Sequence, residues 1–321
     1  MKTTPVTKAD LERSVLAVPP LARKADLALD VEANRALIRY LQDGGVSTIM
    51  YGGNANFYSL GVFDYAETVE SIAGLVAENT WVIPSIGPDF GKAMDQAKIL
   101  RNLTFPTCMI LPLAFPATAA GAARGVAKVV ERFGKPLIAY LKAENYLEPE
   151  DIKSLVQDGL LCGIKYAVVR KDPLADHYLD RLIELVGTDI VISGIGERPA
   201  IDHLRHFGLA GFTSGSVCVA PRLATGLLTA LKQGDYEEAM MIRKAFLPLE
   251  DLRDAFSPMR VLHEAVTLAG IADMGPMLPM LSNIDSPAQI KAISTIARHL
   301  RKRDAEFATV RDAPAARAVA L

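Results

Sequence analysis

The sequence predicts an α/β chain folded as a (β/α)8 TIM barrel with a C-terminal helical appendage, and three observations carry that expectation. Short runs rich in Val, Ile, Leu and Thr alternate with amphipathic stretches in eight successive units. Glycines stand where helices should end, at Gly44-Gly45, Gly134, Gly159, Gly187, Gly208 and Gly234. A chain of 321 residues, 50% hydrophobic, accommodates one barrel of roughly 250 residues plus an appendage better than it does two unrelated domains. Eight repeats favour closure, because doubly wound open sheets more often have about five to seven strands.

Taken in order, strands are expected over residues 14–18, 47–50, 81–85, 107–111, 136–140, 161–167, 189–193 and 211–214. Helical patterns follow at 31–43, 64–78, 91–102, 118–133, 149–157, 175–186, 199–207 and 221–232. The barrel thus occupies 1–234, and a helical region over 235–321 packs on it. That region reads as one helix from Tyr236 to about Phe256, a second capped by Ser257 with Pro258 at its first position, and a third over 287–303. The alanine-rich tail from Asp312 is expected to fray.

With 35 Lys and Arg against 37 Asp and Glu, the chain has no field to draw in nucleic acid or an anionic membrane. The basic run Arg298, His299, Arg301, Lys302 and Arg303 reads as a positive last helical turn complementing its helix dipole. No stretch reaches the roughly 18 apolar residues of a membrane span, and Lys2, Lys8, Asp10, Glu12 and Arg13 interrupt any signal-peptide core. The cytoplasm is therefore the expected location. Cys108, Cys162 and Cys218 lie far apart in apolar segments, as buried core residues of a reducing compartment do.

Barrel chemistry sits at the C-terminal ends of the strands. In the sixth strand the period of two puts Leu161, Gly163, Lys165 and Ala167 on one face and Cys162, Ile164, Tyr166 and Val168 on the other. The bulkier set suits the helix layer, which aims Lys165 inward. A lysine inside a barrel loses hydration, so its neutral amine becomes accessible as a nucleophile for a Schiff base. No carboxylate lies within strands five to seven to pair with it, save Asp189 at the far end.

Tyr140 closes the fifth strand with inward parity, where a phenol can relay protons; Lys142 is a rival lysine in a polar loop with Glu144 and Asn145. The loop Tyr51-Gly52-Gly53-Asn54-Ala55-Asn56 offers backbone N–H groups to a carboxylate, although its glycines equally describe a tight turn. Gly194-Ile195-Gly196 lacks the third glycine of a dinucleotide fingerprint, and no such site is expected. His203 and His206 share a helix but have no third ligand, and read as solvated rather than metal-binding.

Together these pieces resemble the dihydrodipicolinate synthase and N-acetylneuraminate lyase family of class I aldolases, over about residues 15–281. Gly163-Ile164-Lys165 matches the family's Schiff-base strand, and Tyr140 the tyrosine ending its fifth strand. Lesser matches are Gly52 before the carboxylate loop, Ser193-Gly194 after strand seven, and the strand-eight segment from Gly211 to Pro221 with its Ser214. The resemblance implies an imine between Lys165 and pyruvate or another 2-oxo acid, with Gly53, Asn54, Ser193, Gly194 and Thr213 holding substrate. It also implies a homo-oligomer, tetramer or dimer, that uses neither cofactor nor metal.

The chain departs from the family at Gly53-Asn54, where a Thr-Thr pair is usual, and near Leu113-Ala114, where a second relay tyrosine is usual. Near Asn145 it lacks the arginine with which dihydrodipicolinate synthases hold a second carboxylate. Three readings stay open: an aldolase or lyase acting beside the imine, a dehydratase of 2-oxo-3-deoxy sugar acids using the same lysine, and a non-catalytic binding barrel.

Overall fold

The computed structural model of the chain describes residues 1–312. Its eight strands, β1 (Leu16–Ala17), β2 (Thr48–Tyr51), β3 (Trp81–Ile86), β4 (Met109–Ile110), β5 (Leu137–Leu141), β6 (Leu161–Tyr166), β7 (Val191–Ser193) and β8 (Gly211–Ser214), close into one all-parallel barrel in sequence order. β1 pairs with both β2 and β8, which completes the closure. The helices α1 (Lys8–Glu12), α2 (Val31–Asp43), α3 (Tyr65–Leu75), α4 (Phe90–Arg101), α5 (Ala119–Phe133), α6 (Pro149–Gln157), α7 (His177–Val186), α8 (Ala200–Arg205) and α9 (Pro221–Gln233) follow the chain around the outside. The fold is a (β/α)8 barrel, with α10 (Tyr236–Ala255), α11 (Pro258–Leu268) and α12 (Pro287–Asp312) packed against it and one another.

Local chemistry explains where the elements begin and end. Asp30, Asp89, Thr118, Asp176 and Asp235 each accept a backbone N–H of the first turn that follows them, supplying acceptors a helix start otherwise lacks. Gly134 and Gly234 end α5 and α9 in the left-handed conformation, at φ 82° and 74°. The strands are buried almost throughout, as parallel strands covered by helices must be.

Three expectations need correcting. α1 was not foreseen, being only five residues long with a single large apolar side chain, Leu11, to mark it. His203, expected in solvent, is buried on α8. Its Nδ1 lies 2.8 Å from Ser193 Oγ, and its ring packs near Tyr166 and Phe207. Burial pulls its pKa down to about 4, so it packs as a neutral ring beneath the sheet. The basic run does not end its helix either, since α12 continues to Asp312. Arg298 and Arg301 instead donate to the carbonyls of Leu268, Ala269 and Gly270, and so cap the C-terminus of α11. The tail expected to fray lies outside the described residues.

Candidate active site

Parallel register brings the two expected site residues together: Tyr140 of β5 stands opposite Lys165 of β6, which in turn stands opposite Ile192 of β7. Both side chains enter a cavity of about 260 Å³ at the C-terminal mouth of the barrel. Lys165 is 4% exposed, with its Nζ 4.5 Å from the Tyr140 ring centroid and 3.9 Å from Met50 Sδ. Among the described residues no carboxylate pairs with it. Burial, reinforced by the positive charges of Lys142 and Arg253, lowers its pKa from 10.5 to about 7. A substantial share of the amine is thus neutral near pH 7, which is the form that attacks a carbonyl. Burial raises the Tyr140 phenol, so it stays protonated and able to donate.

Gly53, Asn54, Gly194 and Thr213 also line this cavity. The N–H groups of Gly53 and Asn54 find no acceptor among the described residues, while the two carbonyls of the glycine pair receive the N–H groups of Asn56 and Phe57. Asn54 spends one amide hydrogen on Val18 O, at 2.7 Å, and keeps the other. At Gly194 a Cβ would sit 2.9 Å from Lys165 Cγ and 2.7 Å from Tyr166 O, so the residue's missing side chain is the lysine's passage. Ser193 does not join them. It pairs with Tyr166 rather than Lys165, so the strand's period of two turns its hydroxyl outward to His203. Lys142 is exposed at the rim, and Leu113 and Ala114 lie outside the cavity lining.

Several residues in and behind the site went unread in the sequence. Tyr58, from the loop after β2, lines the cavity and brings a second phenol toward Tyr140. Glu250 and Arg253 enter from α10: Arg253 Nη1 donates to Glu250 Oε1 at 2.8 Å, and Ser216 Oγ donates to the same oxygen. Behind them Glu197 is fully buried, accepting from Ser214 Oγ at 2.5 Å, with Oε2 unbonded among the described residues. Burial and the nearby charge of Glu250 raise its pKa. The signal was available in part, since Glu250 falls on the buried stripe of α10 with Ile242, Phe246 and Leu249.

A larger groove of about 540 Å³ runs outside the barrel between α4 and α5, lined by apolar groups such as Phe90, Leu113, Phe115 and Val126. Tyr146 is the only titratable group among the described residues lining it, whereas Lys165, Tyr140, Glu250 and Arg253 line the barrel cavity.

A (β/α)8 barrel with a buried inward lysine beside a tyrosine has the layout of the class I aldolase type of lyase. The chain belongs to the dihydrodipicolinate synthetase family, whose model matches residues 14–296. Members of that family are lyases of this type, bind small molecules and are usually oligomers. Among solved structures, the fold is similar to dihydrodipicolinate synthase from Bacillus clausii at 22% identity, covering 91% of this chain and 99% of that one, with a TM-score of 0.81. The synthase from Oceanobacillus iheyensis gives 23% identity, 92% and 99% coverage and 0.79. A prophage protein of the same family from E. coli, solved with pyruvate, gives 20%, 89% and 98%, and 0.77. No curated protein sequence matches the chain. At these identities the structural likeness carries the fold, and the family model carries the membership.

Proposed function

We propose that the chain is a Schiff-base-forming lyase acting on pyruvate or another 2-oxo acid, with Lys165 as nucleophile and Tyr140 as proton carrier. The observation that carries this reading is the buried, unpaired amine of Lys165, poised near neutrality at the mouth of the barrel. A lysine held there for structure alone would be matched with a carboxylate, because an unpaired buried charge costs several kcal/mol, roughly. The E. coli relative solved with pyruvate supports the substrate class.

In the proposed reaction the neutral amine adds to the keto carbon, the carbinolamine loses water, and a protonated imine remains on Lys165. The imine withdraws electrons from the adjacent carbon, which loses a proton to give an enamine. That carbon then attacks an aldehyde to form a C–C bond, and the reverse sequence cleaves one. The Lys165 Nζ lies 4.5 Å from the Tyr140 ring centroid, and this closeness supports Tyr140 as the group that passes protons to and from the carbinolamine oxygen. Tyr58 supplies a hydroxyl on the same wall, in the absence of one near Leu113-Ala114. These two phenols favour the catalytic readings over a non-catalytic barrel.

Pyruvate with borohydride, followed by peptide mass spectrometry, tests the proposal. One pyruvyl adduct should fix on Lys165 and vanish in Lys165→Met. Labelling at Lys142 instead, or none with any 2-oxo acid offered, overturns it.

A further inference from the structure

α10 lies outside the strand-and-loop set that builds a barrel's catalytic face, yet Glu250 and Arg253 line the cavity. Two glycines let them in. At Gly196, with φ 85°, a Cβ would stand 2.7 Å from Glu250 Oε2, and at Gly215 a Cβ would stand 2.9 Å from Arg253 Nη2. The Arg253 side chain is only 12% exposed and firmly held: Nη1 donates to Glu250 Oε1 at 2.8 Å and Ser216 Oγ at 3.4 Å, and Nε donates to Pro258 O at 3.3 Å. Neither hydrogen on Nη2 has an acceptor among the described residues.

The same empty point beside Gly215 lies 2.9 Å from Asn54 Nδ2, whose second hydrogen is also free once Val18 O has taken the first. Two unused N–H donors, one on a permanent cation, therefore flank Gly215 in the cavity that Gly53, with its unpaired backbone N–H, also lines. A planar guanidinium fixed at one edge and open at the other is suited to a carboxylate, which takes paired N–H bonds. A neutral hydroxyl would leave most of those donors unmet.

We infer that Arg253 and Asn54 form the carboxylate clamp of this site, with α10 providing the cation that grips the 2-oxo acid while its keto carbon meets Lys165. The inference rests on the Schiff-base reading and adds the anchoring group to it. Glu250 is a positioning residue in this scheme: with Ser216 it fixes one edge of the guanidinium, and its charge does not cancel the hydrogen bonds left on Nη2. The clamp supplies donors where the threonine hydroxyls of the resemblance are missing at Gly53-Asn54.

The test compares pyruvate with hydroxyacetone, a ketone without the carboxylate, in borohydride trapping on the full chain at pH 9, above the titration of Lys165. Arg253→Met should raise the half-saturating pyruvate concentration roughly 10- to 100-fold, the loss expected for a charge-assisted bond, and leave hydroxyacetone trapping unchanged. Asn54→Ala should shift pyruvate alone in the same direction. Arg253→Lys, which can keep the pairing with Glu250 if methionine disturbs the fold, should recover part of the pyruvate affinity. An unshifted pyruvate curve in Arg253→Met, or equal shifts for both ketones, overturns the clamp while the lysine chemistry stands. Absence of labelling in the wild type by either ketone removes the Schiff-base reading, and the clamp with it.

Discussion

Replacing Lys165 by methionine should stabilise the protein, and by an amount that depends on pH. In the unfolded chain the amine holds its proton up to about pH 10.5; in the folded cavity it holds it only up to about 7. Between those values the unfolded state binds the extra proton, so the site's contribution to stability grows as pH rises through the window and is fully unfavourable below about 7. At about 1.4 kcal/mol per tenfold, the full cost is roughly 5 kcal/mol, on the order of 8 °C or more in Tm for a chain of this size. Methionine fills similar space and carries no proton, so its packing adds an offset that does not vary with pH. Thermal unfolding of both proteins at pH 6.5 and 10 should show the variant's advantage largest at 6.5 and mostly gone at 10. A difference independent of pH would refute the reasoning, because it would mean that the lysine is either solvated or paired with an acid.

Two further outcomes follow from the same geometry. Tyr140→Phe should slow exchange of pyruvate methyl protons with heavy water by roughly 100-fold or more, followed by NMR, while the pyruvate concentration that half-saturates trapping stays fixed; unchanged exchange would reduce Tyr140 to a packing residue. Gly196→Ala should cost on the order of 2 kcal/mol in thermal unfolding and weaken pyruvate trapping, since a Cβ at φ 85° would meet Glu250 Oε2 at 2.7 Å; a silent substitution would show that Glu250 moves freely.

The barrel was legible because each joint announces itself. Gly134 and Gly234 both close helices where the sequence suggested, and β8 spans the residues expected of it. The strands that came out short, β1 and β4, are two-residue ladders embedded in longer apolar runs, and hydropathy cannot tell pairing from mere burial there. Strand parity turned Lys165 and Tyr140 toward the barrel interior, where both line the cavity, while their proposed roles came from the resemblance. Ser193 was misplaced by weighing its neighbour Gly194 above that same parity, which assigns it to the helix layer with Tyr166. His203 was misread because amphipathic counting treats histidine as polar, whereas a neutral imidazole packs like a small aromatic ring. Helix periodicity puts Glu250 on the buried stripe of α10, but only closure of the fold decides that Gly196 stands opposite Glu250 and Gly215 opposite Arg253.

The order in which the ribosome delivers these parts has its own consequence. Lys165 emerges well before α10, so a nascent chain complete through β8 carries the proposed nucleophile but lacks Arg253. Until the later helix docks, the amine faces whatever carbonyl compounds diffuse past, with no carboxylate-selective gatekeeper beside it. If Lys165 and Arg253 act as proposed, selectivity is acquired later in biosynthesis than reactivity, and a chain stopped after Gly234 whose barrel closed would form adducts without regard to a carboxylate.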